Sequence, residues 1–132
     1  MPVEISFLDH EVGLLLTCTG RVNGSELLES NHNLLKLPVQ TCKYVLVQFQ
    51  ESAALVASAD EIRQVAELDK LVATCNPNVV IAVVAPTDAT FGLARMWSVF
   101  ADEIGWRTMV FRRRPDAEQW INGVTGINFT FA

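Results

Sequence analysis

Arg21 and the run Arg112, Arg113 and Arg114 are guanidinium groups, which grip a phosphate or carboxylate through paired N–H donors. Ser58 carries a hydroxyl that can take a phosphoryl group or cap a helix. Asp88 adds a carboxylate just after Pro86 and Thr87. Arginines gathered beside a helix N-terminus would form an anion site, because the backbone N–H groups there lack partners. The plainer readings are a solvated basic end on an acidic protein and, for Ser58, a helix cap.

The other reactive residue types exclude more than they offer. His10 falls in a turn and His32 in a helix, and neither accompanies Ser or Cys in a nucleophile motif. The chain has no G-x-S-x-G, no glycine-rich phosphate loop and no acidic cluster at metal-ligand spacing. Asp9 with Glu11, and Asp60 with Glu61, read as turn and cap residues. Cys18, Cys42 and Cys75 are far apart in sequence and read as buried reduced thiols. No catalytic residue, metal or cofactor is therefore assigned, and a non-enzymatic role is expected. An enzyme would need groups such as Arg21, Asp88 and Arg113 to converge in the fold.

Bulk properties narrow the partners. The chain has 132 residues, half of them hydrophobic, enough for one domain with its own core. A net charge of −5 repels phosphate backbones and argues against nucleic acid. No apolar run reaches the ~20 residues of a membrane span. The N-terminus lacks a basic segment followed by an apolar one, so the expected compartment is the cytoplasm.

Val3, Ile5 and Phe7 alternate with polar residues, the period of a half-buried strand. Asp9 to Glu11 is a turn, and Val12, Leu14, Leu16 and Cys18 line one face of a second strand. The two predict an antiparallel hairpin ending at Gly20. Asn23 and Glu26 form a capping box for a helix with Leu27, Leu28, Asn31, Leu34 and Leu35 on one face, stopped by Pro38. A strand follows from Tyr44 to Gln50. Ser58 and Glu61 form a second capping box, opening a helix with Ile62, Val65, Ala66, Val72 and Cys75 inward. Asn76, Pro77 and Asn78 end it. Val79 to Ala85 is apolar throughout, which puts it in the middle of a mostly parallel sheet. A helix runs from Thr87 through Ile104, with Gly105 as its C-terminal cap. A last strand, Trp106 to Arg112, leads to a short helix bearing Ala117, Trp120 and Ile121.

The expected fold is thus α/β: a mixed, mostly parallel five-stranded sheet in the order ββαβαβαβα. Residues 1–122 form the domain. Residues 123–132 are a tail, either an added edge strand or a disordered end.

The helix after Thr87 stands out. Leu93, Trp97, Phe100 and Ile104 make an inward stripe, while Phe91, Met96 and Val99 lie outside it. That spare apolar surface predicts a second contact: a homodimer interface, a protein partner or the wall of a small apolar-ligand pocket. The bland alternative is that the N-terminal hairpin or the tail covers it.

The element order resembles the STAS-type fold of anti-sigma-factor antagonists, and more narrowly the SpoIIAA-like set of small bacterial proteins. Three local features carry the resemblance over Val3 to Ile121. Thr19, Gly20, Arg21 and Val22 precede a capped, Leu-rich helix. The strand from Tyr44 leads through a loop into a Ser-capped helix. Val110 and Phe111 are followed by Ala117, Glu118, Gln119, Trp120 and Ile121. The resemblance implies a regulatory module that binds a protein partner or itself. Antagonists of this type carry Asp-Ser-Ser/Thr-Gly at that Ser-capped helix, with one Ser phosphorylated by a partner kinase. Here the stretch reads Val56-Ala57-Ser58-Ala59-Asp60, without the first acid or the Gly. Ser58 is the candidate switch residue that remains. A small apolar-ligand or lipid binder is the alternative function.

Overall fold

The computed structural model describes residues 3–35, 42–75, 77–103 and 105–132, apart from the side chains of residues 32, 34, 35, 72 and 75. The expected stops at Pro38 and Asn76, the inward Ile104, and the side chains of His32, Leu34, Leu35, Val72 and Cys75 lie outside the described residues.

Strands β1 (Val3–Leu8) and β2 (Gly13–Cys18) form the antiparallel hairpin. They are followed by β3 (Arg21–Asn23), α1 (Gly24–Leu35), β4 (Tyr44–Phe49), β5 (Ala54–Val56), α2 (Ala59–Cys75), β6 (Val80–Val84), α3 (Asp88–Asp102), β7 (Arg107–Phe111) and α4 (Arg114–Thr125). The main sheet has the order β1-β2-β4-β6-β7, parallel from β2 onward. The mixed, mostly parallel five-stranded sheet is therefore as the sequence predicts.

Every residue of β6 is buried because the strand is covered on both faces. Ile81, Val83 and Ala85 join the core beneath α1, α2 and α3, while Val80, Ala82 and Val84 join the core beneath α4. The central strand is β4, with β6 one place beyond it.

Two short strands go unannounced in the sequence. β3 and β5 pair in parallel as a separate two-stranded sheet, with Val22 opposite Leu55. They continue the β2–β4 partnership after both chains bend, at Gly20 (φ +63°) and at the turn closed by Ala53 N–H donating to the Gln50 carbonyl. Three residues are too few to display a period of two. Leu55 N–H donates to Thr90 Oγ1 over 3.4 Å, tying this sheet to α3.

The C-terminal tail corrects the expectation. Residues 127–132 form no strand; α4 itself runs to Thr125, past the expected boundary at residue 122. Phe129 and Phe131 pack on the Tyr44 ring at centroid distances of 4.7 and 5.1 Å. Asp9 accepts from Thr130 N–H (2.9 Å), Thr130 Oγ1 (2.6 Å), Phe131 N–H (3.0 Å) and the Tyr44 hydroxyl (2.5 Å). Main-chain donors are thus spent on a carboxylate instead of a strand. Gly13 makes room for this arrangement: a Cβ there would lie 2.0 Å from Tyr44 Cζ.

Candidate functional site

The side of the sheet under α1, α2 and α3 contains a cavity of about 90 Å³. Leu16, Cys18, Val47, Phe49 and Val83 line it from the sheet. Leu27, Ser30 and Asn31 reach it from α1, Ile62 and Val65 from α2, and Leu93, Ala94 and Trp97 from α3. Both capping boxes that start the covering helices form. Asn23 and Glu26 exchange bonds of 3.0 and 2.9 Å, and Ser58 and Glu61 exchange bonds of 3.0 and 3.1 Å.

A buried carboxylate joins the three helices. Asp69 of α2 accepts from Asn31 Nδ2 of α1 at 2.5 Å and from Trp97 Nε1 of α3 at 2.7 Å. Burial disfavours its charged form and pushes its pKa up to about 7, against the opposing pull of the Trp97 hydrogen bond. Sequence reasoning missed Asp69, although the signal was present. It stands seven residues after Ile62, on the same apolar stripe as Val65 and Ala66, where a solvated charge does not belong. Asn31 was placed inward, but its partner was not seen.

Ser30 is similarly informative. It is only 6% exposed, and its Oγ has no hydrogen-bond partner among the described residues. Cys18 also faces the cavity, and burial pushes its thiol up to about 12, far from a reactive thiolate. Cys42 is also buried, and burial raises its thiol above the ordinary range. Among the described residues no three of His, Cys, Asp and Glu are grouped to hold a metal.

The expected arginine site is only partly assembled. Arg112, Arg113 and Arg114 line an open cleft at the carboxyl ends of β4, β6 and β7, together with Glu51 and Pro86. Arg112 is committed to Asp88 at 2.7 Å and lies 4.2 Å over the Phe91 ring. Arg114 pairs with Glu118 at 2.9 Å. Arg113 is the N-cap residue of α4 and makes no side-chain cap bond. Arg21 and Ser58 are not part of the lining. Arg21 is exposed on β3, opposite Ala54, and Ser58 spends its hydroxyl on Glu61. With two of its three arginines already paired, the cleft offers an anion little unmatched charge.

The spare face of α3 also shrinks. Phe91 and Met96 are half-buried and packed against the core, so they are not part of a free surface. The closest approach of α3 is made by small residues, Thr90, Ala94 and Ala101, which are buried. Large side chains fit beside these on both flanks, so the apolar arc is wider than one stripe. Val99 alone of the three is fully outside, 61% exposed, and Met109 of the edge strand β7 joins it at 45%. Both line a shallow groove with Arg95 and Thr108.

No helix among the described residues is long and apolar enough to cross a membrane. No family model matches this sequence, nor does any curated protein. Among solved structures, an uncharacterised protein of the DUF3478 family from Shewanella loihica PV-4, with a SpoIIAA-like fold, superimposes with a TM-score of 0.52. It is 14% identical, and the match covers 90% of this chain and 91% of that one. Such a likeness concerns fold alone. Together with the strand order and the alternation of helices, it establishes that the chain has the SpoIIAA-like fold.

Proposed function

We propose that this chain is a non-catalytic binding module, and that its working part is the cavity beneath α1, α2 and α3, which takes a small apolar molecule. The supporting observation is the cavity itself, about 90 Å³ of apolar-lined space in the larger core. Protein interiors are normally close-packed. Lining atoms that face an unfilled space forgo dispersion contacts. An apolar occupant recovers those contacts.

The antagonist-type reading, docking of a protein partner or a second copy, is the second one. Val99 and Met109 favour it, since they flank the outer edge of β7, which no strand among the described residues pairs and where an added strand would find backbone groups to bond. A phospho-switch at Ser58 would be a refinement of this second reading.

Xenon tests the first. In methyl-resolved NMR under xenon pressure, the Leu27, Val65, Val83 and Leu93 methyls should shift saturably. Ala94→Leu, which fills the space, should abolish the response. Uniform, unsaturated shifts over the whole chain would sink the reading. Native mass spectrometry tests the second: a dimer that Val99→Glu dissociates supports it, and a monomer at all concentrations removes self-association.

A further inference from the structure

We infer that the outer edge of β7 takes a second copy of this chain: the two β7 strands pair antiparallel about a two-fold axis at Met109, and Arg95 of each copy meets Asp102 of the other. The inference rests on the second reading above, docking at the β7 edge, and names the occupant and its register.

The backbone sets the register. The Phe111 carbonyl accepts from Ala85 N–H at 2.7 Å, just past the end of β6, so Phe111 turns its backbone groups toward that strand. Successive residues of a strand turn theirs to alternate sides. Thr108 and Val110 therefore turn theirs outward, to an edge that no strand among the described residues pairs. These two positions are equidistant from Met109. A two-fold axis there sets Thr108 of each copy opposite Val110 of the other, and each such pair exchanges both of its N–H···O bonds. Edge strands are commonly blunted by a charge, a proline or a bulge, and residues 108–111 carry neither charge nor proline.

The side chains select the same axis. α3 is the crossover between the parallel strands β6 and β7, so it runs antiparallel to β7. Arg95, Val99 and Asp102 form an exposed row along it, positive, apolar and negative, about one helical turn apart. All three line the groove beside residues 108–110. Thr108 Oγ1 donates to Asp102 Oδ1 over 3.4 Å, so the acidic end of the row lies beside the start of β7 and the Arg95 end toward its finish. A half-turn about Met109 reverses the row. Val99 then faces Val99, and each Arg95 faces an Asp102. Among the described residues neither Arg95 nor Asp102 has an ion-pair partner in its own chain. A foreign strand would satisfy the backbone alone, whereas a copy of this chain also brings the complementary row.

The test is sedimentation of the full chain with two charge reversals at exposed positions, Arg95→Glu and Asp102→Arg. Wild type should sediment as a dimer. Each variant alone sets like charges together at both symmetric contacts and should raise the dimer dissociation constant about ten-fold. An equimolar mixture of the two variants should recover the wild-type affinity, because the mixed dimer has opposite charges at both contacts. The Thr108 and Val110 amides should exchange more slowly at concentrations that populate the dimer. A mixture no tighter than its components, with those amides protected in the dimer, would overturn the axis at Met109 and leave the β7 edge as the docking surface. A dimer that leaves those amides unprotected and ignores Val99→Glu would overturn the inference and the edge reading together. A monomer at all concentrations would also overturn the inference, leaving the edge to a different protein.

Discussion

The two faces of the main sheet are each tied by one aspartate, and the two carboxylates are in opposite electrostatic situations. Beneath α4, Asp9 gathers the tail through four donors, two of them backbone N–H groups. Its burial would raise the pKa, but the bonds from Thr130, Tyr44 and Phe131 together outweigh it and hold the group at about 2. Beneath α1, α2 and α3, Asp69 has two side-chain donors in a drier place, and burial wins. One face is fastened by a charge. The other is fastened by a group that is near the point of giving its charge up. The difference follows from the number of donors set against desolvation, since the residue type is the same.

The comparison predicts pH dependences of opposite sign, and the Asp69 effect is the larger. Its folded pKa is raised from 3.8 to about 7, so the fold prefers the protonated form. The stabilisation is complete below about pH 4 and is lost as pH rises through 7, a change on the order of 4 kcal/mol. Asp69→Asn keeps the shape and cannot ionise. In urea denaturation, the stability difference between wild type and Asp69→Asn should therefore move against wild type from pH 5 to pH 8. A constant difference would mean that Asp69 is solvated, and that the two faces do not differ as described.

Asp9 should respond the other way. Its folded pKa is depressed from 3.8 to about 2, so its contribution is present above about pH 4 and disappears as pH falls toward 2. Asp9→Ala should cost about 2 kcal/mol at pH 7, the scale of losing hydrogen bonds to a charged group. It should also speed amide hydrogen exchange at Thr130 and Phe131 while leaving α1 and α2 protected. Loss of protection across both faces would show that the tail is not a separate unit.

The sequence made the scaffold legible and left the anchors hidden, for one physical reason. Periodicity reports which face a residue turns inward, so the strand β6, the capping boxes at Asn23 and Ser58, and the inward Asn31, Ile62, Val65 and Ala66 could all be read. It says nothing about which inward residues meet. Asp69 with Trp97 and Asp9 with Thr130 are separated by 28 and 121 positions. A lone Asp within an apolar stripe does not announce its partners, and Asp69 is such a residue. Arg21 follows the second strand of the hairpin, so the expected single sheet would bring it to the same end as Arg112, Arg113 and Arg114. The second sheet, made of strands too short to show a pattern, carries Arg21 away from that cleft. On α3 the error was one of width: Phe91 and Met96 lie off the central line but inside the arc that small residues such as Ala94 allow.

The smallest effect sharpens the comparison from the end of a helix. Ser58 opens α2, the helix that carries Asp69, and its hydroxyl accepts from Glu61 N–H at 3.1 Å. If α2 is held chiefly at its middle by Asp69, removing the cap should cost only the usual amount. Ser58→Ala is expected to lower stability by about 1 kcal/mol, well below the pH-linked change at Asp69. Ser58→Asp should be nearly neutral, because a carboxylate caps the same N–H and suits the positive end of the helix. This pair also separates cap from switch. With stability matched to wild type, any change in partner binding by Ser58→Asp reports the added charge itself. Unchanged binding would leave Ser58 as a cap alone. A loss of several kcal/mol in Ser58→Ala would instead show that the helix layer is governed from its N-terminus, and that Asp69 is not its anchor.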